Sequence, residues 1–299
     1  MIVSNSISKK YEKSHVLQHV GLQVNKGSIY GLLGSNGAGK TTLLKIIAGI
    51  VRPDDGEITV DGKGVFEDTE VKATMFFLSD SLYFFSQYTI KQMADFYRDT
   101  YPNWNQERFL KLQQLFQLDR KKKISQFSKG MQRQVAFWLA LSTMPEYLIL
   151  DEPFDGLDAV IRKKIKNLLV QDVAEREMTI IISSHNLREI EDICDYIGIL
   201  HQGQLLLEKD IDDLKSDIHK VQVAFRQKPE TEVWDNLDVL YKERRGSVIL
   251  AIVRGKEEDI VSHLEQYQPV ILDLLPLTLE EIFVYEMGDA GYAIENILV

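Results

Sequence analysis

Nine consecutive residues, Gly34-Ser35-Asn36-Gly37-Ala38-Gly39-Lys40-Thr41-Thr42, carry the strongest prediction in this sequence. An apolar run at 28–33 precedes them and an apolar segment at 43–49 follows, which is the order of strand, glycine-rich loop and helix. The glycines allow backbone N–H groups to turn inward around an anion, and the helix N-terminus adds unpaired donors. We therefore predict a phosphate-binding loop, in which Lys40 reaches the β- and γ-phosphates of a nucleotide and the Thr41 hydroxyl holds Mg²⁺. A glycine-rich surface turn is the alternative, and the length and context of the match disfavour it.

Length, composition and charge predict a globular protein with one large and one smaller domain. At 299 residues the chain is long for one core, and its apolar fraction of 44% is ordinary. The net charge of −10 does not favour wholesale binding to nucleic acid, so no nucleic-acid partner is expected. From residue 215 onward the chain carries nine basic and sixteen acidic residues, and this shift in charge indicates a domain boundary.

Cysteine usage and hydropathy predict a cytoplasmic protein without a membrane span of its own. The one cysteine, Cys194, excludes an internal disulfide framework, and we expect it in the core on an apolar helical face with Ile190, Ile193 and Ile197. The N-terminus lacks the form of a signal peptide. No apolar run approaches the roughly eighteen residues that span a bilayer, so work at a membrane requires another polypeptide.

Two further apolar strands end in polar residues that suit nucleotide chemistry. Residues 147–150 are all apolar, which indicates burial on both faces, as in a parallel sheet. At the carboxyl end of that strand, Asp151 is placed to meet Mg²⁺ and Glu152 to orient or deprotonate an attacking water. The strand at 179–184 ends in His185, which can hydrogen-bond a γ-phosphate, although a lone histidine is usually structural.

Ser128, Gly130 and Tyr11 are further candidates for nucleotide contact. Ser128 can cap the apolar helix that follows it, and Gly130 lets the backbone approach a ligand, so this helix N-terminus also suits an anion. Tyr11 precedes an alternating strand at 16–24 and can stack on a purine base, with ordinary packing as an equal alternative. The aromatic-rich segment at 76–101 and a helix at 105–117 predict a helical subdomain, with most of the aromatic residues in its core and some in an exposed apolar groove for a partner.

Beyond residue 210 the pattern changes to a small α+β module without a catalytic constellation. A capping box at 278–281 predicts a last helix that runs to about residue 287. The other predicted elements are strands near 218–225, 239–241, 247–253 and 270–274, and helices near 230–236 and 257–267.

Taken together, these stretches resemble the ATP-binding cassette (ABC) family over about residues 1–210. Tyr11 falls at the adenine-stacking position of that family. The matching motifs occur in the family's order: Walker A at 34–42, the signature at 127–131, Walker B at 148–151 with Glu152 as catalytic carboxylate, the D-loop at 156–158 with Asp158, and His185 as the switch histidine.

The resemblance implies an α/β fold, a P-loop NTPase ABC cassette with a mixed sheet core, an antiparallel β subdomain and a helical subdomain. It places the ATP-binding domain at 1–212, with the helical subdomain at about 86–145, and a small C-terminal α+β accessory domain at 213–299. Two departures stand out. Asp80 is the nearest fit to the family's Q-loop glutamine, which adds it to Thr41 and Asp151 as a predicted metal ligand. Lys129 and Met131 replace the commonest signature residues, a variant that resembles single-cassette subunits of bacterial exporters.

The implied activity is ATP hydrolysis with Mg²⁺ in a dimer of two cassettes, where ATP lies between Lys40 of one subunit and Ser128 of the other. The dimer is expected to couple hydrolysis to export of a hydrophobic or amphipathic substrate (drug, lipid or peptide) through a separate transmembrane permease. The chain would then be peripheral on the inner face of the cell membrane. A soluble ABC ATPase acting on ribosomes or DNA is the alternative, and such relatives usually carry two cassettes or long coiled-coil insertions, which this chain lacks.

Overall fold

The computed structural model describes residues 1–226 and 233–282, together with Tyr285. The chain divides into two compact units, Met1–Glu208 and Lys209–Val299. The boundary that the sequence predicts, between residues 212 and 213, falls inside the helix Ile211–Asp217. Within the described ranges, no helix is both long and apolar enough to cross a bilayer.

The first unit combines two sheets with helices. In chain order, its elements are β1 (Ile2–Tyr11), β2 (Ser14–Val24), β3 (Ile29–Leu33), α1 (Lys40–Ile47), β4 (Asp55–Val60), β5 (Lys63–Gly64), α2 (Thr69–Ala73), β6 (Met75–Leu78), α3 (Ile90–Thr100), α4 (Gln106–Phe116), α5 (Lys129–Ser142), β7 (Tyr147–Asp151), α6 (Ala159–Arg176), β8 (Thr179–Ser184), β9 (Tyr196–His201) and β10 (Gln204–Asp210).

A six-stranded sheet positions the predicted site. Its strand order is β10-β9-β3-β8-β7-β6, and β3 pairs in parallel with both β8 and β9, as β7 does with β6 and β8. Strands β3, β7 and β8 are buried along their whole length, as their apolar runs predict. Because the carboxyl ends of parallel strands share one edge, the phosphate loop, Asp151 and His185 are brought to the same edge of the sheet.

A second, antiparallel sheet has the order β2-β1-β4-β5. The sequence did not predict β1, because its alternation is broken by irregular pairing between Ser4 and Ile7, where Ser6 has a φ of 53°. One hydrophobic core joins both sheets through α1, and Leu17 of β2, Leu43 of α1 and Ile149 of β7 belong to it.

The three helices α3, α4 and α5 lie within the span predicted as a helical subdomain. Thr89 caps α3 in a capping box with Gln92. Trp138 of α5 stacks on Phe109 of α4, and its indole N–H donates to the Phe109 carbonyl at 2.8 Å. The apolar half of α5 is therefore covered by protein on all sides, which explains why its sequence is apolar throughout.

The predicted helical face around Cys194 is wrong. Leu187–Glu189 forms a 3-10 turn, and Ile197 already belongs to β9. The residues between this turn and β9 form no regular helix, and they pack against β3, where a side chain on Gly31 would meet both Ile190 and Cys194. Cys194 itself is buried, as predicted, and burial raises the pKa of its thiol.

The second unit contains the elements α7 (Ile211–Asp217), which the sequence did not predict, β11 (Ile218–Ala224), β12 (Asp238–Arg245), β13 (Val248–Arg254), α8 (Glu257–Glu265) and β14 (Ile271–Leu275). Its sheet is antiparallel and has the order β12-β13-β11-β14. Ile260 and Leu264 of α8 pack on Val221, Val223 and Val253 of the sheet. The capping box between Thr278 and Glu281 is present, and the predicted end of that last helix lies outside the described residues, as do residues 230–232 of the helix predicted at 230–236.

Candidate nucleotide site

The loop between β3 and α1 has the backbone that a phosphate-binding loop requires. Gly39 stands at the start of α1 with a φ of 108°, in the left-handed region. A Cβ at this position would also lie 2.8 Å from the Val16 carbonyl oxygen, so both conformation and space require glycine. The first turn of α1 carries no acidic residue, which leaves the positive end of the helix dipole available to an anion.

Lys40 lies buried beneath this loop, with 6% of its side chain exposed. Its Nζ donates to the carbonyl oxygens of Gly34 at 2.6 Å and Ser35 at 3.2 Å. The same Nζ lies 3.1 Å from Glu152 Oε1, in an ionic contact. The charge of Lys40 is therefore balanced inside the site, and its ammonium group faces the loop that the sequence predicts to hold phosphates.

Asp151 connects the ends of three elements. It ends β7 and is 1% exposed. Its Oδ2 accepts a hydrogen bond from Thr41 Oγ1 at 2.8 Å, and its Oδ1 accepts one from Ser183 Oγ at 2.8 Å. A hydroxyl and a carboxylate in contact form a set of hard oxygen donors, so the residues at this point fit Mg²⁺.

Glu152 follows Asp151 in a strained backbone conformation, with a φ of 44°. Its N–H donates to Ser183 Oγ at 3.0 Å. Its Oε2 lies 2.9 Å from His185 Nδ1 and accepts a longer hydrogen bond from the His185 N–H. Because a carboxylate only accepts, Nδ1 carries the proton in this contact and Nε2 is left for another partner. Asp155 lies close to the same pair.

Ser183 is a residue that the sequence reasoning missed. It is the second-last residue of β8, before Ser184, and it is completely buried. Its hydroxyl donates to Asp151 and accepts from the backbone N–H of Glu152. The available signal was two hydroxyl side chains at the carboxyl end of an otherwise apolar strand. Such residues meet neighbouring strand ends at this edge of a parallel sheet.

Ser128, Gly130 and Asp158 lie at the starts of two helices. Ser128 caps α5 by accepting from the Met131 N–H at 3.3 Å, and Asp158 caps α6 by accepting from the Ile161 N–H at 2.9 Å. A Cβ on Gly130 would lie 2.6 Å from the Gly156 carbonyl oxygen, so the close approach predicted for this glycine is made here by the chain itself. Within the part of the chain that the structure describes, no hydrogen bond joins these three residues to residues 34–42.

Among the described residues, no hydrogen bond joins Asp80 or Tyr11 directly to Lys40, Asp151 or Glu152. Asp80 Oδ1 accepts from Arg133, a second residue that the sequence reasoning missed, at 3.1 Å. Tyr11 ends β1 and is 46% exposed, and Lys9 Nζ lies 5.7 Å from the centre of its ring. Tyr11 thus lies outside the core, where an aromatic ring can stack on a planar partner.

Fold and site together define a P-loop ATPase of the ATP-binding cassette class. The family model described as "ABC transporter" matches residues 17–155. The chain is 34% identical to the ABC transporter ATP-binding protein YtrB of Bacillus subtilis over 96% of this chain and 98% of that protein. The chain belongs to the ABC transporter ATP-binding proteins, and the resemblance, fold class and ATPase class predicted from the sequence are confirmed.

Other relatives match mainly over the first unit. The bacitracin transport ATP-binding protein BcrA of Bacillus licheniformis is 33% identical over 72% of this chain and 71% of that protein. The lantibiotic transport ATP-binding protein SrtF of Streptococcus pyogenes is 30% identical over 76% of this chain and all of that protein. A solved ATP-binding subunit of an ABC transporter is 26% identical and superposes with a TM-score of 0.67, over 72% of this chain and 92% of the other.

A more distant solved structure shares the fold. It is a dimeric, post-hydrolysis ATP-binding cassette bound to ADP and phosphate, and it is 22% identical with a TM-score of 0.65. The likeness covers 71% of this chain and 99% of that cassette. The soluble alternative, an ATPase acting on ribosomes or DNA, is not favoured, because the named relatives are transport subunits.

Proposed function

We propose that this ABC ATPase drives an exporter of hydrophobic or amphipathic molecules, with peptides as the leading class and drugs or lipids as the others. Two relatives are named for the transport of bacitracin and of a lantibiotic, which supports a peptide substrate. The observation that carries the proposal of ATP-driven work is the connected set of contacts from Lys40 through Glu152 to His185, beside the pair of Thr41 and Asp151.

Nucleotide binding is assigned to the loop and the side chains around it. The backbone N–H groups of residues 34–42 and the Lys40 ammonium bind the phosphates of ATP, and the exposed ring of Tyr11 stacks on the base. The incoming γ-phosphate competes with Glu152 for Lys40, since both anions need the same cation. ATP binding therefore frees the Glu152 carboxylate at the moment when a base is needed.

Thr41 and Asp151 are the residues that would hold Mg²⁺, because their side-chain oxygens already meet beneath the loop. Bound there, the ion would neutralise charge on the phosphate oxygens. Asp151 is oriented by the hydrogen bonds that it accepts from Thr41 and Ser183. Asp80 as a further metal ligand stays a prediction.

Hydrolysis is assigned to Glu152 and His185. Glu152 orients the attacking water and accepts its proton, which requires a carboxylate within hydrogen-bond reach of the water. His185 holds Glu152 Oε2 through Nδ1 and presents Nε2 as the atom that faces the γ-phosphate. His185 is 44% exposed, so a ligand can reach it without opening the core.

A second cassette completes the site. Ser128, Gly130 and Asp158 are assigned to the ATP bound by a partner subunit, since each lies at an exposed or partly exposed helix start and, among the described residues, no hydrogen bond joins them to residues 34–42. ATP then binds two surfaces at once, so dimerisation and ATP binding stabilise each other. Whether the partner is a second copy or a different cassette is decided by what co-purifies.

A separate permease supplies the membrane span, and the chain is assigned to the cytoplasmic face of the membrane. The segment after Asp80 exposes aromatic side chains suited to an apolar helix of that permease, with Tyr83 at 80% exposure beside Phe85 and Phe96.

Purification of the full-length chain from membranes in mild detergent tests this function. We expect a transmembrane protein to co-purify, and ATP turnover to rise when amphipathic peptides are added to the complex in vesicles. Salt-sensitive binding to RNA or DNA, with no membrane protein in the complex, would contradict the proposal.

A further inference from the structure

One arginine in the first turns of α5 joins the segment after β6 to the turn after β7. Arg133 Nη1 donates to the Glu152 carbonyl oxygen at 2.7 Å. Arg133 Nη2 donates to both the backbone oxygen of Asp80, at 3.0 Å, and its Oδ1, at 3.1 Å. The Arg133 side chain is 10% exposed. Because the guanidinium is planar with fixed donors, this single group holds three segments in one relative geometry.

The backbone of Glu152 depends on such support. Its φ of 44° is a conformation that residues with a side chain seldom adopt, and it persists only where the surroundings hold it. The peptide group before its Cα is held by Ser183 Oγ, and the peptide group after it is held by Arg133. The direction in which the Glu152 carboxylate points is therefore set from both sides.

The helix that carries Arg133 also touches this turn directly. Gly130, one turn earlier in α5, approaches the Gly156 carbonyl so closely that a Cβ would lie 2.6 Å away. Ser128 caps the same helix. A displacement of the first turn of α5 would therefore be transmitted to the residues that follow β7, through Arg133 and through Gly130.

We propose that Arg133 is a positioning residue for ATP hydrolysis, which holds Glu152 in its left-handed conformation, and that Asp80 acts through Arg133. This inference rests on the proposed role of Glu152 as the base. It assigns Asp80 a role different from that of a metal ligand, because its carboxylate is paired with a guanidinium and is half exposed. The contact between Asp80 and Arg133 also connects the aromatic segment after Asp80 to Glu152, the proposed base.

The experiment compares kcat, the Kd for ATP and the Mg²⁺ concentration for half-maximal turnover in the full-length chain. For Arg133→Gln we expect kcat to fall by roughly tenfold to a hundredfold, because small displacements of a catalytic group have effects of this size. The Kd for ATP should stay within about twofold, since Arg133 contacts neither Lys40 nor the loop. Arg133→Lys keeps the positive charge but loses the planar guanidinium with its two donor nitrogens, so it should have an intermediate kcat.

Asp80→Ala separates the two roles of Asp80. It removes one acceptor and leaves the Asp80 backbone oxygen, so we expect kcat to fall by only about threefold, with unchanged dependence on Mg²⁺. The double variant Asp80→Ala, Arg133→Gln should be no slower than Arg133→Gln alone, because both act through one contact. Lys111→Gln is the matched control, since it removes an exposed cation paired with Glu107 in the same helical region and should leave kcat unchanged.

An unchanged kcat in Arg133→Gln, or fully additive losses in the double variant, would overturn the inference. A rise in the half-maximal Mg²⁺ concentration confined to Asp80→Ala would also overturn it and return Asp80 to metal binding. If Arg133→Gln fails to fold, Arg133→Lys and Asp80→Ala still decide, since unchanged kcat in both contradicts the inference. Glu152→Gln serves as the reference: if it turns over ATP normally, the proposed function fails, whereas normal turnover in Arg133→Gln alone defeats only this inference.

Discussion

The two parts of the proposed ATP site differ in how far one chain completes them. The buried part, with Lys40, Asp151 and Glu152, lies under the phosphate loop, and its members contact one another or share Ser183. The exposed part, with Ser128 and Asp158, consists of helix starts whose side chains cap their own helices. We infer that the fold preorganises the proposed chemistry within one subunit, whereas the Ser128 hydroxyl, which accepts one hydrogen bond from its own helix, can still donate one to a ligand of a second subunit.

The largest expected effect is the loss of hydrolysis in Glu152→Gln. We expect kcat to fall by about a thousandfold, because glutamine cannot accept the proton of the attacking water. ATP binding should persist, and ATP should shift the variant to a dimer that the unmodified chain forms only transiently. Steady-state phosphate release and size-exclusion chromatography with ATP measure the two results.

Glu146→Gln is the control for that variant, since Glu146 is an exposed carboxylate directly before β7, the strand that Glu152 follows. It should hydrolyse ATP at the normal rate. Normal turnover in Glu152→Gln would show that Glu152 is not the base. A variant that stays monomeric with ATP would count against a site shared between identical subunits.

Lys40→Ala should weaken ATP binding by about 3 kcal/mol, roughly a hundredfold in Kd. The variant removes the buried ammonium group of Lys40, which is proposed to bind the phosphates, and it leaves Glu152 without its ion pair. Calorimetric titration with ATP measures the loss. Lys45→Ala, in the last turn of the same helix, is the control and should keep normal affinity, whereas normal affinity in Lys40→Ala would defeat the phosphate-loop assignment.

Ser128→Ala separates the exposed part from the buried part. The Kd for ATP of the monomer should be unchanged, while turnover should fall by about tenfold, since one hydrogen bond of roughly 1.5 kcal/mol to the partner's ATP is lost. Loss of the helix cap should also lower the free energy of unfolding by about 1 kcal/mol.

Thr89→Ala is the matched control for Ser128→Ala, because Thr89 caps α3 in the same helical region by the same contact. It should lose about as much stability with normal turnover. Equal turnover in the two variants would show that Ser128 serves only its helix.

The smallest expected effect lies outside both parts of the site, at Glu281 in the second unit. A hydrogen bond from Lys220, followed by one from the Thr278 backbone, lowers the pKa of Glu281 below 4.5. A lowered pKa in the folded state stabilises the protein above the unfolded value, and this contribution is lost as the pH falls through the folded value. Glu281→Gln should therefore lower stability by less than about 1 kcal/mol at pH 7, with the difference shrinking below pH 4.5. Denaturant unfolding at both pH values tests this, and a changed Kd for ATP would contradict it.

The sequence predicted the strongly patterned parts of the molecule well. The strand, loop and helix around residues 28–47 were recognisable because glycines and an apolar strand have local requirements. Strand β1 and helix α7 were missed, since an irregular pairing and a short polar helix carry little periodicity. The helical spacing around Cys194 misled for the opposite reason, because a 3-10 turn and a strand start reproduced it by chance.

The site divides in the same way. Lys40, Asp151 and His185 stand at places that the sequence marks, directly after apolar strands or inside a glycine-rich loop. Ser183 has only a weak mark, its hydroxyl at the carboxyl end of an apolar strand, and Arg133 has none. Their contacts depend on the strand order of the six-stranded sheet and on the placement of α5.

By itself, the sequence determined the class of this protein and the chemistry of its loop, because turns, caps and buried strands are governed by short-range sterics and burial. The tertiary structure alone decided that Lys40 rests on Glu152, that Ser183 joins Asp151 to Glu152, and that Arg133 connects Asp80 to the same turn. These contacts join residues distant in the chain, and their geometry follows from how sheet and helices pack, which no local pattern encodes.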